Sequence, residues 1–195
     1  RLEGKASLLL KGERVALNFM QRMCGVATLT RSYVERVSHT QAKVLDTRKT
    51  TPLWRALEKY AVRVGGGNNH RFGLDDGILI KENHIAVAGG VREAIEACQS
   101  SMNHLQRVEV EVRNHQEIRQ ALSAGAAIIL LDNMTAEQVQ EAVEMIGGRC
   151  LIEVSGGVNE TNIVQYAEAG ADFISLGVLT HSSPSSDLSL ILEAR

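Results

Sequence analysis

Two prolines, three cysteines and no long apolar run are what this sequence of 195 residues offers in the way of scarcity. With Pro52 and Pro184 as its only prolines against 17 glycines, the chain reads as a folded domain of tight turns, not as a disordered linker. Cys24, Cys98 and Cys150 are odd in number and far apart, which excludes both a disulfide framework and a zinc knuckle and predicts a reducing, cytoplasmic setting. No stretch is long and apolar enough to cross a bilayer, and no signal peptide opens the chain, so no membrane partner is expected. Nor is there an excess of positive charge. The net charge of −2 argues against a nucleic-acid partner.

What is present is a local asymmetry. Lys43 to His84 holds eight Lys or Arg against five Asp or Glu, a balance of +3, which leaves −5 for the rest. A cationic segment in an acidic protein suits an anionic small molecule, although charge clusters of this size also arise by chance. Hydrophobic residues at 44 % and charged residues at 23 % are ordinary for a globular enzyme.

From Lys43 onward, short apolar runs alternate with amphipathic stretches. The runs predict strands at Ala42–Leu45, Gly77–Ile80, Arg107–Val112, Ala127–Leu131, Cys150–Val154 and Phe173–Leu176, apolar throughout as a doubly covered parallel sheet requires. Helices are predicted at Pro52–Val62, Val91–Ser100, Gln116–Ala124, Ala136–Met145 and Glu160–Ala169, with Thr135 and Asn159 as caps. Ala124-Gly125-Ala126 and Ala169-Gly170-Ala171 each precede a strand, a weak internal repeat. Asp46, Lys81, Glu111, Asp132, Ser155 and Gly177 fall at successive strand ends. One rim of polar residues is the signature of a barrel, whereas a doubly wound sheet gathers its ligands at one switch point. The expected fold class is therefore α/β: a TIM-like α/β barrel, incomplete or open, over residues 41–182. Ahead of it, Ala6–Leu10 reads as a strand in a remnant of an N-terminal domain (residues 1–13) mostly absent from the chain. Arg14–Arg36 reads as a long helix within a linking segment (residues 14–40), and residues 183–195 read as a C-terminal helix.

Several motifs carry chemistry. Asp46-Thr47-Arg48-Lys49-Thr50 sets two cations and two hydroxyls in a strand-to-helix loop, an oxyanion receptor or a solvated turn. Gly65-Gly66-Gly67-Asn68-Asn69-His70-Arg71 lacks the dinucleotide-binding spacing; its glycines are expected to turn the backbone sharply and aim His70 and Arg71 inward. Lys81 follows an apolar strand directly. Glu109 and Glu111 share one strand face, which in a barrel points inside, so at least one needs a cation, a metal or a ligand hydroxyl. Asp132 stands one strand later; with Glu111 it could share magnesium or bind a ribose diol, or either could form a buried salt bridge. Ser155-Gly156-Gly157 and Gly177 expose backbone N–H groups where barrels hold phosphate.

Taken in order, DTRKTTP (Asp46–Pro52), GGGNNHRFGLDD (Gly65–Asp76), LIKENH (Leu79–His84), EVEV (Glu109–Val112), LLDN (Leu130–Asn133), EVSGG (Glu153–Gly157) and ISLGVLTHS (Ile174–Ser182) resemble the quinolinate phosphoribosyltransferase family across nearly the whole chain. ERVALN (Glu13–Asn18) resembles the start of that family's hinge helix. One departure is visible: Leu53 follows Pro52 where many relatives carry glycine. The resemblance implies conversion of quinolinate and phosphoribosyl pyrophosphate to nicotinate mononucleotide, pyrophosphate and CO2 for NAD synthesis. It implies that Arg48, Arg71, Lys81 and His70 meet the dicarboxylate, joined by Arg14 from a neighbouring subunit of a homodimer or higher homo-oligomer with shared active sites. Thr47 would join that substrate set, and Lys49 would meet the phosphoribosyl donor. Glu111 and Asp132 would bind ribose hydroxyls and Mg2+, with Lys49, Glu111 and Asp132 as the catalytic groups. Ser155, Gly156, Gly157, Gly177 and His181 would hold phosphate. Three alternatives stand beside it: a related phosphoribosyltransferase-like protein of molybdenum metabolism, a barrel lyase or isomerase acting on phosphosugars, and a catalytically inert truncated fragment.

Overall fold

The structure, a computed structural model, describes residues 2–193. Six short strands form one parallel sheet: β1 (Lys43–Leu45), β2 (Ile78–Ile80), β3 (Val108–Val112), β4 (Ile128–Asp132), β5 (Leu151–Ser155) and β6 (Phe173–Ser175). Their order is β1-β6-β5-β4-β3-β2. The order never reverses, so there is no switch point. It is a barrel sequence broken by one seam, between β1 and β2. The seam is partly filled: Asn68 N–H donates to Val44 O at 2.8 Å and Asp46 N–H to Asn68 O at 3.1 Å, so this loop runs beside β1 as a single bridged residue.

Alternation within each strand decides what faces where. On β3, Val108, Val110 and Val112 are buried under α4 (Val91–Ser101) and α5 (His115–Ser123), which leaves Glu109 and Glu111 on the interior face. Ile129 and Leu131 on β4 and Ile152 and Val154 on β5 fill the same outer layer, closed by α6 (Ala136–Ile146) and α7 (Ile163–Glu168). The α6 start is a capping box, Thr135 accepting from Gln138 N–H while Gln138 accepts from Thr135 N–H. Two short helices lie outside the periodic pattern and are not foreseen by it: α3 (Glu82–Ala88) and α8 (Val178–His181).

Two expectations are overturned at the ends of the chain. Ala6–Leu10 is not a strand but the first turns of α1 (Ala6–Arg36), a helix of 31 residues. A short apolar run has no period of its own, and Ala and Leu are strong helix formers; Gly12 is not enough to interrupt them. Residues 183–193 form no helix, and residues 194–195 lie outside the described residues. This segment lies along α1 as a strap. Ser186 N–H donates to Gln21 O at 3.0 Å, Gln21 Nε2 to Leu188 O at 2.8 Å and Arg22 Nη1 to Ser183 O at 2.7 Å. Gly25 makes the close approach possible, since a Cβ there would lie 1.8 Å from Pro184 O. Serines and a proline favour such external bonding over a helix of their own.

Candidate active site

The loop after β1 carries Thr47, Arg48 and Lys49 and is held from three sides. Thr47 Oγ1 accepts Lys49 N–H at 3.0 Å, and Thr180 Oγ1 donates to Lys49 O at 2.7 Å. Glu58, on α2 (Arg55–Val64), is fully buried and accepts Thr51 N–H at 2.9 Å and Thr51 Oγ1 at 2.8 Å. Arg22 of α1 closes that group by donating to Glu58 at 2.8 Å and to the carbonyl of Thr180. Arg55 donates to Thr50 Oγ1, to Arg48 O and to Phe72 O, at 3.0, 3.2 and 3.1 Å, and so ties the Arg48 loop to the Arg71 loop. Arg48 and Lys49 themselves stay exposed.

Around the same rim, Lys81 at the end of β2 pairs with Glu111 of β3. Asp132 ends β4, with Asn133 Nδ2 donating to its Oδ2 at 2.7 Å. Ser155 ends β5 and stands opposite Asp132 in register. Gly156 must be glycine: its φ is +85°, and a Cβ there would lie 2.3 Å from Asn133 Oδ1. Among the described residues the amides of Gly156, Gly157 and Gly177 donate to no protein acceptor. A Cβ on Gly177 would lie 3.0 Å from both Lys49 Cδ and His181 Nε2, which places those two side chains together at the end of β6. The fold thus gathers Thr47, Arg48, Lys49, Lys81, Glu111, Asp132, Ser155, Gly156, Gly157, Gly177 and His181 at one end of the barrel. Arg14 is not among them: it lies exposed on the first half of α1, with no hydrogen bond or ion pair among the described residues.

His70 and Arg71 enter from the seam. The triple glycine works differently from expectation. A Cβ on Gly65 would lie 2.4 Å from Ala27 O, and one on Gly67 would lie 2.7 Å from Thr30 Cγ2, so two of the three glycines seat the end of α2 against α1. Asp46, expected at the rim, is fully buried and braces the loop instead, pairing with Lys59 and accepting His70 N–H at 2.8 Å and Asn69 Nδ2 at 2.6 Å. Burial raises the Asp46 carboxyl pKa against the pull of Lys59. Arg71 Nη1 donates to Gly77 O at 2.8 Å, and burial followed by the nearby charge of Arg48 lowers its pKa. Two guanidinium groups are therefore held within each other's field.

Below them His70 Nε2 lies 3.3 Å from Glu109 Oε2 and 3.5 Å from Glu153 Oε1. Both glutamates are buried, and one oxygen of each has no hydrogen-bond partner. Burial opposes a charged imidazole, while the nearby carboxylates of Glu109 and Glu153 pull its pKa upward. Yet Arg71 N–H donates to His70 Nδ1 at 2.7 Å, which leaves that nitrogen no proton of its own. The ring therefore carries its proton on Nε2, facing the two carboxylates, and burial raises the Glu109 carboxyl. The cavity at the foot of the barrel, about 870 Å³, reaches this cluster through the seam past Lys43, Tyr60, Arg63, Arg107 and Phe173.

Sequence reasoning missed Arg22, Arg55, Glu58 and Lys59. The available signal was two charges at adjacent α2 positions, Glu58 and Lys59, where amphipathic periodicity sends both toward the interior side.

Comparison with known proteins now bears on this geometry. Residues 26–191 match the family described as quinolinate phosphoribosyl transferase, C-terminal domain. The chain is 46% identical over 189 residues to a probable nicotinate-nucleotide pyrophosphorylase (carboxylating) of Bacillus subtilis, covering 97% of this chain and 65% of that protein. To the nicotinate-nucleotide pyrophosphorylase (carboxylating) of Mycobacterium leprae it is 44% identical, covering 98% and 68%. The solved structure of NadC from Streptococcus pyogenes superposes with a TM-score of 0.90 at 48% identity, over 94% of this chain and 65% of that one. The chain thus spans just under two thirds of the Bacillus relative's length, and it belongs to the family of quinolinate phosphoribosyl transferase C-terminal domains.

Proposed function

We propose that the protein joins quinolinate to phosphoribosyl pyrophosphate, releasing pyrophosphate and CO2 and leaving nicotinate mononucleotide. The observation that carries this reading is the approach of Arg48 to Arg71, close enough for their charges to oppose one another, with Lys81 following the end of β2. Holding a second guanidinium near the half-buried Arg71 is unfavourable, and a dianion between the two would relieve it. Quinolinate, with two adjacent carboxylates, is such a dianion.

Glu111 and Asp132 fit a magnesium ion as donors: they are hard oxygen ligands on neighbouring strands, and each keeps one oxygen free of hydrogen bonds among the described residues. When bound with substrate phosphates, the ion would neutralise charge on the departing pyrophosphate. The protein's own share is positioning. Lys49 would meet the donor's phosphates, and the free amides of Gly156, Gly157 and Gly177, with Ser155 and His181, would hold the 5′-phosphate. Glu111 and Asp132 would anchor the ribose hydroxyls and stabilise positive charge on the sugar carbon. Such placement, with water closed out, supplies the rate without a nucleophile. A homodimer with shared sites belongs to the reading, supported by Arg14, an exposed arginine with no hydrogen bond or ion pair among the described residues. So does a cytoplasmic location, supported by three free cysteines; among the described residues no helix is long and apolar enough to cross a membrane.

The test is direct. The protein is mixed with quinolinate, phosphoribosyl pyrophosphate and magnesium, and nicotinate mononucleotide is sought. Its appearance supports the reading. Calorimetric binding of quinolinate without turnover would identify an inert barrel, and absence of both would overturn the assignment.

A further inference from the structure

The cluster of His70, Glu109 and Glu153 calls for an account that the proposed reaction does not supply. It could be a metal site, since one atom from each residue lies within 4.8 Å of the others. The tautomer argues against that. A neutral imidazole that binds metal through Nε2 carries its proton on Nδ1. Here Nδ1 is the acceptor for Arg71 N–H at 2.7 Å, so Nε2 carries the proton and has no lone pair to give. The ring could instead touch the substrate. Both of its nitrogens, however, are already turned toward protein: Nδ1 to Arg71, and Nε2 to two carboxylates on the far interior wall.

We propose that His70 is a positioning residue that aims Arg71 by accepting its main-chain N–H at Nδ1, while Glu109 and Glu153 hold the ring from the opposite side. This rests on the dicarboxylate reading of the Arg48 and Arg71 pair. The need for it follows from the charges. Arg71 sits in the seam, where no strand ladder fixes the backbone, and it faces the like charge of Arg48. Its guanidinium has one protein acceptor, Gly77 O at 2.8 Å, so its aim depends on where the main chain is set. The segment 69–71 is fixed at four points, three of them on the main chain: the Asn69 side chain donates to Asp46, Asp46 accepts His70 N–H, Lys59 donates to His70 O at 2.9 Å, and His70 Nδ1 accepts Arg71 N–H. Only the last acts on the Arg71 main chain. The carboxylates on β3 and β5 make that bond possible because they draw the imidazole proton to Nε2, which keeps Nδ1 an acceptor. Two strands on the far side of the barrel are thereby coupled to an arginine at its seam.

Two substitutions divide the ring's functions. Asn places an acceptor close to the position of Nδ1 and nothing near Nε2; Gln does the reverse. His70→Asn should keep quinolinate KM close to that of the unsubstituted protein, while His70→Gln should raise it at least about tenfold, the scale of a small misplacement of a binding group. KM for phosphoribosyl pyrophosphate should move in neither variant. The opposite order, with Gln retaining affinity and Asn losing it, would overturn the proposal in favour of direct substrate contact or a metal through Nε2. Long-range 1H–15N NMR of the unliganded protein gives a readout independent of quinolinate: a proton on Nε2 and a hydrogen-bonded, unprotonated Nδ1 are expected, unchanged when Mg2+ or Zn2+ is added. A proton on Nδ1 would defeat the proposal even where turnover is normal. If instead the tautomer is as stated and the unsubstituted protein binds no quinolinate, the dicarboxylate reading fails, and the role given to His70, which presupposes it, falls with it.

Discussion

At the scale of single residues, Leu53 shows how a local rule can be broken in plain view. Trp54 N–H donates to Thr51 O at 3.0 Å, closing a turn with Pro52 and Leu53 at its centre. Leu53 has a φ of +68° and is fully exposed. Proline followed by a residue of positive φ is the pattern of a type II turn, whose third position favours glycine. A leucine there is strained by about 1–2 kcal/mol, with no burial in return, and part of that gain is lost to glycine's extra freedom when unfolded. Leu53→Gly should therefore stabilise the protein by roughly 0.5–1 kcal/mol, raising Tm by a few degrees (~2–4 °C per kcal/mol for a chain of this size); calorimetric melting would show it, and an unchanged or lower Tm would contradict it. Arg48 illustrates the converse, a residue whose exposure conceals its use. If Arg48 holds a substrate carboxylate as proposed, Arg48→Ala should cost about 2–5 kcal/mol of quinolinate affinity. Isothermal titration would measure that directly, with no change in Tm.

At the scale of elements, what the sequence reveals depends on whether a single periodicity governs the residues. The strands from β3 to β6 fall within about a residue of where the apolar runs place them, because continuous Val, Ile and Leu between polar ends has one meaning once strands and helices alternate. The rim was legible for the same reason, since it lies at the ends of those runs. Ala6–Leu10 was not legible, because a five-residue run fits a strand or a helix equally and only the helix that follows decides. Nor was the brace behind the rim. Arg22 and Glu58 are 36 positions apart and meet only because α1 packs on α2. Their pairing is tertiary, and no local spacing announces it. Its energetic weight should be large: Arg22→Met strands a fully buried carboxylate, and a loss of about 3–5 kcal/mol in urea unfolding is expected. Adding Glu58→Gln to that variant should recover a substantial part. If the single variant unfolds like the unsubstituted protein, the brace carries no stability.

At the scale of the whole molecule, the exposed Arg14 and the apolar side chains near it, Leu8, Leu10, Val15 and Met20, are better suited to an interface than to solvent. If Arg14 completes a neighbour's site, Arg14→Ala and Lys81→Ala should each be inactive alone and regain activity when mixed and allowed to exchange subunits. A mixed dimer would hold one site with both defects and one with neither. Confirmed exchange without recovered activity would show that Arg14 acts within its own chain or not at all.

The seam between β1 and β2 has a consequence for how the barrel comes apart. β4 is flanked by strands on both sides, and its amides can be reached only when the whole sheet opens; β2 has a strand on one side alone, and β1 on its outer side has a single bridged residue. Deuterium uptake should follow that order, with Ile129 to Leu131 slowest and Leu79 among the fastest strand amides, because openings at an edge break fewer ladders. The arginines proposed to hold the substrate are thus mounted on the part of the barrel expected to open most readily. A bound dianion bridging Arg48 beside β1 and Arg71 across the gap would act as a clasp, slowing exchange along both edges while leaving β4 as it was.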